Sequence, residues 1–198
     1  MSIFPIRALT EKVLINMPKA IFPPSKNTYI SQYYPLQNFN RSVSLFAGQF
    51  KQSGDAYRSL LKFDINNIST DGNLIPTRSI INEAYLQLAI KRNEVPEESS
   101  ILLNIFAVLQ PWTSETVNWN QQPLIHAVSE SGATIESGYY TLELNLTSLV
   151  RDWFTKNIYN HGLLLIGDES RNSLTAFYSS FSRDSNLWPR LIIKYSYS

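Results

Sequence analysis

The sequence contains no cysteine, only two histidines and little charge. Without cysteine, the chain has no disulfide bonds, no thiolate metal ligands and no cysteine nucleophile. Two histidines are too few for a multi-histidine metal site. Charged residues make up 17% of the 198 residues and the formal net charge is +1, whereas a soluble domain usually has about 25% charged residues. This composition excludes nucleic acid as the main partner, because that binding depends on clustered Lys and Arg.

Long apolar runs are also absent. No segment reaches the roughly 18 consecutive apolar residues of a membrane-spanning helix. The first 20 residues do not have the pattern of a secretory signal, since they lack a basic start and Pro5, Arg7 and Thr10 interrupt the apolar residues. We therefore expect no transmembrane segment and, for the chain as written, synthesis in the cytoplasm.

The residues that are abundant predict β-structure. Most segments alternate β-branched or aromatic residues with polar ones, and Asn, Ser, Pro and Gly separate them. The predicted strands are 13–17, 27–31, 43–47, 57–65, 83–91, 101–109, 139–145, 162–167, 176–180 and 190–195. This series has no βαβ rhythm, so it indicates an all-β fold: an antiparallel two-sheet β-sandwich of the jelly-roll type.

One segment has helical spacing instead. Leu149 and Trp153 share a face with Leu146, Val150 and Phe154, which predicts a single short helix over roughly 148–156. We expect Trp153 to be buried on that face. The pattern has no internal repeat, so we predict one domain over residues 13–198, preceded by an extended N-terminal arm over residues 1–12.

Several motifs in order carry a resemblance to a known family. They are YRSLLKFDI, EAYLQLAI, PWTSETVNW, SLVRDWF, NHGLLLIGDES, AFYSS and PRLIIKY. Between Ile21 and Tyr195, the chain resembles the DNRLRE-domain family, which is also treated as a family of carbohydrate-binding modules. The resemblance implies a β-sandwich of the kind found on bacterial and archaeal surface proteins, with a polysaccharide as partner.

Aromatic residues supply the candidate sugar-binding residues. Trp112, Glu115 and Trp119 could form a platform, because indole stacks on the C–H face of a sugar ring and polar groups fix its orientation. Alternatively, both indoles pack the connection between two strands. Tyr33 and Tyr34 lie in a predicted loop, where exposed aromatic side chains are candidates for contact with a ligand or partner.

Nothing in the spacing of acids and histidines indicates catalysis. A glycosidase needs two carboxyl groups on either side of one bond, and no pair stands out among the scattered acidic residues. We therefore expect no enzyme activity, no catalytic residues and no cofactor. A calcium ion held by Asp side chains and backbone carbonyl oxygens is the alternative to solvated loop carboxylates.

The N-terminal arm leads to the main functional hypothesis. In an extended chain, Ile3, Phe4, Ile6 and Leu9 would expose apolar side chains to water. Added to the sheet edge of a neighbour, the arm would connect subunits head to tail. The main interpretation is therefore a non-catalytic structural subunit that assembles into a filament on a bacterial or spore surface. The alternative is a carbohydrate-binding module that recognises a polysaccharide through exposed aromatics.

Overall fold

Alternating side chains build a β-rich fold in the computed structural model, which describes residues 17–66, 69–93, 95, 97 and 99–197. The strands in these ranges are β1 (Lys19–Phe22), β2 (Pro24–Ser31), β3 (Ser44–Gln49), β4 (Ala56–Phe63), β5 (Ile80–Asn93), β6 (Ser100–Ala107), β7 (Ser131–Glu136), β8 (Thr141–Asn145), β9 (Leu163–Ile166), β10 (Thr175–Tyr178) and β11 (Arg190–Ser196). An α-helix, α1 (Thr147–Thr155), lies between β8 and β9, and 3₁₀ turns occupy Trp119–Gln121 and Ser185–Leu187.

The paired strands are antiparallel and form two layers. One layer has the order β1–β11–β5–β8, and the other has the order β2–β4–β9–β6–β7. β10 pairs with both β5 and β3, and β3 pairs with one end of β4, so these strands join the layers into a single curled sheet. The predicted fold class, an antiparallel β-sandwich of the jelly-roll type with one short helix, is confirmed.

The main core is the set of buried apolar side chains that the two layers and α1 enclose. Its largest members include Phe22, Leu45, Leu61, Phe63, Leu86, Leu88, Leu103, Ile105, Leu149, Trp153, Phe177 and Ile193. Each side chain of this kind stabilises the fold by roughly 1.5–3 kcal/mol when it is fully buried. Trp153 is 5% exposed and belongs to this core, which confirms its predicted burial.

The helix begins and ends within a residue of its predicted bounds. The side chain of Asn145 accepts a hydrogen bond from the Thr147 N–H at 2.9 Å, just before the first turn. Thr147 Oγ1 accepts a 2.9 Å hydrogen bond from the Ala84 N–H, so the start of the helix is attached to β5. At the other end, Lys156 adopts a left-handed backbone with φ of 62° and ends the helix. None of the helices in the described ranges is long and apolar enough to cross a bilayer.

A second apolar cluster lies on the opposite face of the β2–β4–β9 layer, and we call it the outer cluster. It consists of Ile30, Leu60, Val108, Trp112, Val117 and Leu164. Leu60 and Leu61 are neighbours in β4 and both are fully buried, yet alternation directs them to opposite faces. The connection between β6 and β7 supplies Val108, Trp112 and Val117, so a loop covers this face of the sheet.

The sequence pattern does not predict β1 or β7. In β7 the residues SGATIE bury only Ile135 fully, so the strand has no apolar row that could reveal it. The arm over residues 1–12, with Ile3, Phe4, Ile6 and Leu9, lies outside the described residues, as does the predicted strand 13–17 except for Met17. The division into an arm and one domain from residue 13 stays a prediction.

Candidate functional site

Trp112 is a structural anchor of the loop between β6 and β7. Its side chain is 8% exposed and packs in the outer cluster against Leu60 and Leu164. The indole Nε1–H donates a 2.7 Å hydrogen bond to the carbonyl oxygen of His161. Because the ring is enclosed by the sheet and its polar edge is satisfied, Trp112 holds the loop in place and does not offer a free face to a ligand.

The Asn160-His161-Gly162 turn explains the NHG motif as architecture. Asn160 Nδ2 donates to the carbonyl oxygen of Phe63 at 2.8 Å, and Asn160 Oδ1 accepts from the Gly162 N–H at 3.1 Å. Gly162 has a φ of +99° and its Cα faces the backbone of Leu61, so a side chain there would be strained and would clash. The turn leaves the His161 carbonyl in the position that receives the indole of Trp112.

Trp119 lies in a different environment. It opens a 3₁₀ turn that Asn118 caps, since Asn118 Oδ1 accepts from the N–H groups of Asn120 and Gln121, each at 3.1 Å. The guanidinium carbon of Arg58 lies 4.6 Å from the centroid of the Trp119 ring. One face of this half-buried indole is therefore covered by a cation.

Arg58 is itself held by two partners. Its Nε and Nη2 donate to the two carboxylate oxygens of Glu169 at 2.7 and 2.8 Å, and its Nη1 donates to Gln122 Oε1 at 3.0 Å. A planar guanidinium held by a bidentate carboxylate has little freedom to move. Trp119 and Gln122 are consequently fixed against the strand β4.

Glu115 is exposed on the same segment. Its Oε1 accepts a 2.9 Å hydrogen bond from Ser114 Oγ. This hydrogen bond is the main reason why the pKa of Glu115 lies below its usual value, and the positive charges of Lys26 and Arg41 add to the effect. Glu115 is therefore an ionised acceptor near two cations.

Tyr33 and Tyr34 present the most exposed neighbouring aromatic rings of the loop between β2 and β3. They are 56% and 49% exposed, and their ring centroids lie 4.8 Å apart at 83°. The ring centroid of Tyr34 lies 6.4 Å from that of Phe39, and Phe39 in turn stacks on Tyr29 of β2 with a centroid distance of 4.3 Å. A row of rings thus connects the exposed pair to the sheet.

We call residues 32–43 the aromatic loop and residues 112–122 the tryptophan segment. Hydrogen bonds join the two segments. Asn38 Nδ2 donates to the carbonyl oxygens of Ser114 and Val117 at 2.7 and 2.8 Å. The Asn120 N–H donates to the carbonyl oxygen of Pro35 at 3.2 Å. The structure therefore places Tyr33, Tyr34, Glu115 and Trp119 on two adjoining segments that form one surface.

An open cleft of about 260 Å³ lies along the tryptophan segment. It is lined by Gln110, Pro111, Trp112, Thr113, Thr116, Val117, Gln121, Gln122 and Pro123. These residues carry amide and hydroxyl groups and no charge. Apart from Trp112, sequence reasoning missed these residues and Asn38, because isolated amides and hydroxyls form no pattern until the loop is folded.

The chemistry of the surface favours binding over proton transfer. Burial raises the pKa of Tyr29 to about 12, and burial together with a hydrogen bond and the charge of Asp55 raises the pKa of Tyr57 to about 12. Both hydroxyls therefore stay protonated at neutral pH. Within the described ranges, no group of three or more His, Asp or Glu side chains could hold a metal ion, and the alternative of a calcium ion held by Asp and backbone carbonyl oxygens stays a prediction.

The comparisons with known proteins identify a family. The model of carbohydrate-binding module family 96 matches residues 18–195, so the chain belongs to that family. No curated protein matches the chain. The match supports a carbohydrate-binding-module family, as the motifs implied, although it does not supply the DNRLRE name.

The family match also corrects the main functional hypothesis. The filament subunit connected by Ile3, Phe4, Ile6 and Leu9 is wrong as the leading interpretation, because a binding-module family covers almost the whole chain and points to carbohydrate. Self-assembly into a homo-oligomer has no support either. An apolar terminal segment alone is insufficient evidence for assembly, because the sequence identifies no complementary surface that would receive this segment.

Proposed function

We propose that this member of carbohydrate-binding module family 96 binds a polysaccharide through the aromatic loop and the tryptophan segment, and that it has no catalytic activity of its own. The observation that carries the proposal is the Tyr33–Tyr34 pair, which is exposed and yet held in place by its neighbours. From the sequence motifs, we also infer that the chain is related to the DNRLRE-domain family.

Fixed exposed rings suit a sugar ligand for a physical reason. A pyranose ring has an apolar C–H face that stacks on an aromatic ring, while its hydroxyls need hydrogen-bond partners at the edge. Tyr34 is supported by Phe39, and Asn38 attaches the loop to the tryptophan segment at 2.7 and 2.8 Å. Because little conformational freedom remains to be lost, binding by these rings costs less entropy.

The adjoining cleft supplies the polar part of such a site. Gln110 Oε1 accepts from the Leu124 N–H at 3.2 Å, and Gln122 is bound by Arg58 at 3.0 Å, so both amides are oriented by the protein. Thr113 and Thr116 add hydroxyls 2.6 Å apart. Oriented, uncharged donors and acceptors beside proline rings match the hydroxyl groups of a sugar chain.

The absence of catalysis is proposed from the use that the protein makes of its carboxylates. Glu169 is bound by Arg58, and Asp168 is bound by Ser170 and Arg171, which hold the pKa of Asp168 below its usual value. Both carboxylates are engaged by neighbouring cations, whereas glycoside cleavage needs one protonated acid facing a second carboxyl group. Incubation with alginate, pectin, xylan, chitin and β-glucan should release no product.

Affinity gel electrophoresis tests the binding site. The protein is run through native gels that contain alginate, polygalacturonate, xylan, β-glucan or glucomannan, and retardation in at least one gel is expected. The double variant Tyr33→Ala, Tyr34→Ala should weaken retardation by at least about tenfold, which corresponds to about 1.4 kcal/mol.

Tyr140, which lies outside the aromatic loop and the tryptophan segment, offers a matched control. Tyr140 is 83% exposed and lies between β7 and β8, so Tyr140→Ala removes an exposed tyrosine without touching the proposed surface. Unchanged retardation of the double variant, or equal loss in Tyr140→Ala, would show that the aromatic loop is not the site.

A further inference from the structure

A second cleft lies at the far edge of the other layer, where β1 pairs with β11. It has a volume of about 220 Å³ and is lined by Ile21, Pro23, Thr70, Ser185, Trp188 and Arg190. None of these residues belongs to the aromatic loop, the tryptophan segment or the cleft beside it. The indole of Trp188 and the side chains of Pro23 and Ile21 give it a mostly apolar floor.

The indole of Trp188 is held on its polar edge. Its Nε1–H donates to the carbonyl oxygen of Ser182 at 2.9 Å. The preceding 3₁₀ turn is capped by Asp184, whose Oδ1 accepts from the Asn186 N–H at 2.9 Å. The next residue, Pro189, is buried. Trp188 therefore has a fixed orientation with its ring against the cleft.

The opposite wall is equally fixed. The N–H and the hydroxyl of Thr70 both donate to the carbonyl oxygen of Ile21, at 2.9 and 3.0 Å. The Ile21 N–H donates to Asp71 Oδ1 at 3.3 Å. These bonds occupy the free edge of β1, so an added peptide strand cannot pair there, and the cleft between the walls remains available to a smaller ligand.

The rim of the cleft is polar and carries a positive charge. Arg190 Nη2 donates to the carbonyl oxygen of Ser185 at 3.2 Å. Within the part of the chain that the structure describes, no carboxylate lines the cleft and no acidic side chain forms an ion pair with Arg190. The guanidinium and the Ser185 hydroxyl are thus placed to donate to sugar oxygens above an apolar floor, and the Thr70 hydroxyl, which donates to Ile21, can accept a hydrogen bond from a sugar hydroxyl.

We propose that this Trp188 cleft is a second carbohydrate subsite, which takes a single sugar ring with its C–H face on the indole and its hydroxyls at Arg190. The proposal rests on the proposed function only for the chemical class of the ligand. A cleft of about 220 Å³ is smaller than the 300–1,000 Å³ of pockets for drug-sized ligands, as expected for one ring. When two sites of the protein bind the same polysaccharide chain, the overall avidity of the protein for that chain rises without any new contact.

The four tryptophans give a direct test. In ¹⁵N-labelled protein each indole N–H gives one NMR signal, and single Trp→Phe variants assign them. Cellohexaose, xylohexaose, chitohexaose, laminarihexaose and trigalacturonate are titrated separately. At least one should shift the Trp188 signal in a saturable way, while the signal of Trp153, in the main core, stays in place.

The outcomes separate the two proposals. A shift of the Trp119 indole signal and of the backbone amide signals of the aromatic loop, without any shift of the Trp188 signal, overturns the second subsite and leaves the proposed function standing. A shift of Trp188 alone supports the subsite and overturns the aromatic loop as the site. No shift with any of these saccharides overturns both, and an equal shift of Trp188 with phenol shows a general apolar cleft and overturns the subsite.

Variants at Trp188 complete the experiment. Trp188→Ala should weaken the second binding event by about tenfold or more and leave the shifts of the aromatic loop unchanged, while Trp188→Phe, which keeps a ring face, should restore part of the affinity. Thermal melting checks that both variants are folded. If Trp188→Ala is folded and binds the saccharide as the parent does, the subsite does not exist.

Discussion

The main core and the outer cluster meet at β4, where Leu61 packs into the first and Leu60 into the second. The main core is enclosed by strands of both layers and by α1, so sheet pairing fixes its members. The outer cluster is covered by the loop between β6 and β7, which depends on side-chain hydrogen bonds such as that from Trp112 to His161. The main core stabilises the fold as a whole, whereas the outer cluster supports the surface that we propose for binding.

The largest effect is expected in the main core. Trp153→Ala removes a side chain that is 5% exposed and leaves a cavity between α1 and the sheet, so the free energy of unfolding should fall by about 3–5 kcal/mol. Thermal and denaturant unfolding measure this loss. A variant with an unchanged melting temperature would show that the helix is not part of the cooperative core.

The same substitution in the outer cluster sharpens the comparison. Trp112→Ala should cost about 3 kcal/mol, the lower end of the range for a buried Trp, because the ring is at the edge of a small cluster and is 8% exposed. It also leaves the His161 carbonyl without its donor. Retardation in polysaccharide gels should be lost while circular dichroism still shows the sandwich. Loss of the whole fold would mean that the two clusters are one cooperative unit.

Alternation predicts the main core well, because one face of each long strand must be apolar. Leu61 and Phe63 are assigned to one face by this rule, and Leu149 and Trp153 to the helix face, and the structure agrees. The rule does not distinguish Trp112 from Trp119, which have similar neighbours in sequence. Their difference arises from residues distant in the chain: His161 and Leu164 enclose Trp112, while Arg58 covers Trp119.

The candidate surface was only partly predictable for the same reason. Tyr33 and Tyr34 stand out as loop aromatics, but nothing in the sequence joins them to residues 112–122. That connection depends on Asn38, a polar loop residue whose side chain reaches Ser114 and Val117. A contact between two loops has no period, so only the folded chain reveals it.

A smaller effect is expected from the link between the two loops. Asn38→Ala removes hydrogen bonds to Ser114 and Val117 and should lower the free energy of unfolding by about 1–2 kcal/mol. Polysaccharide retardation should fall more than this stability loss alone explains, because the aromatic loop is no longer held. The exposed neighbour Gln37 offers the control Gln37→Ala. Full retardation by folded Asn38→Ala would separate the two loops functionally.

The smallest effect concerns pH and the two tyrosines beneath the aromatic loop. Tyr29 and Tyr57 have pKa values of about 12, raised from 10.0 mainly by burial. A raised pKa favours the protonated folded state, so this contribution is fully present below pH 10 and is lost as the pH rises from 10 towards 12. The denaturation midpoint should therefore fall over this window, and the fall should be smaller in Tyr29→Phe and Tyr57→Phe, which cannot ionise at this position.

Tyr140→Phe is the control for this pH dependence, since the Tyr140 ring is 83% exposed. An equal fall in all three variants would mean that Tyr29 and Tyr57 ionise as freely as a surface tyrosine, and that the row of rings behind Tyr34 is open to water.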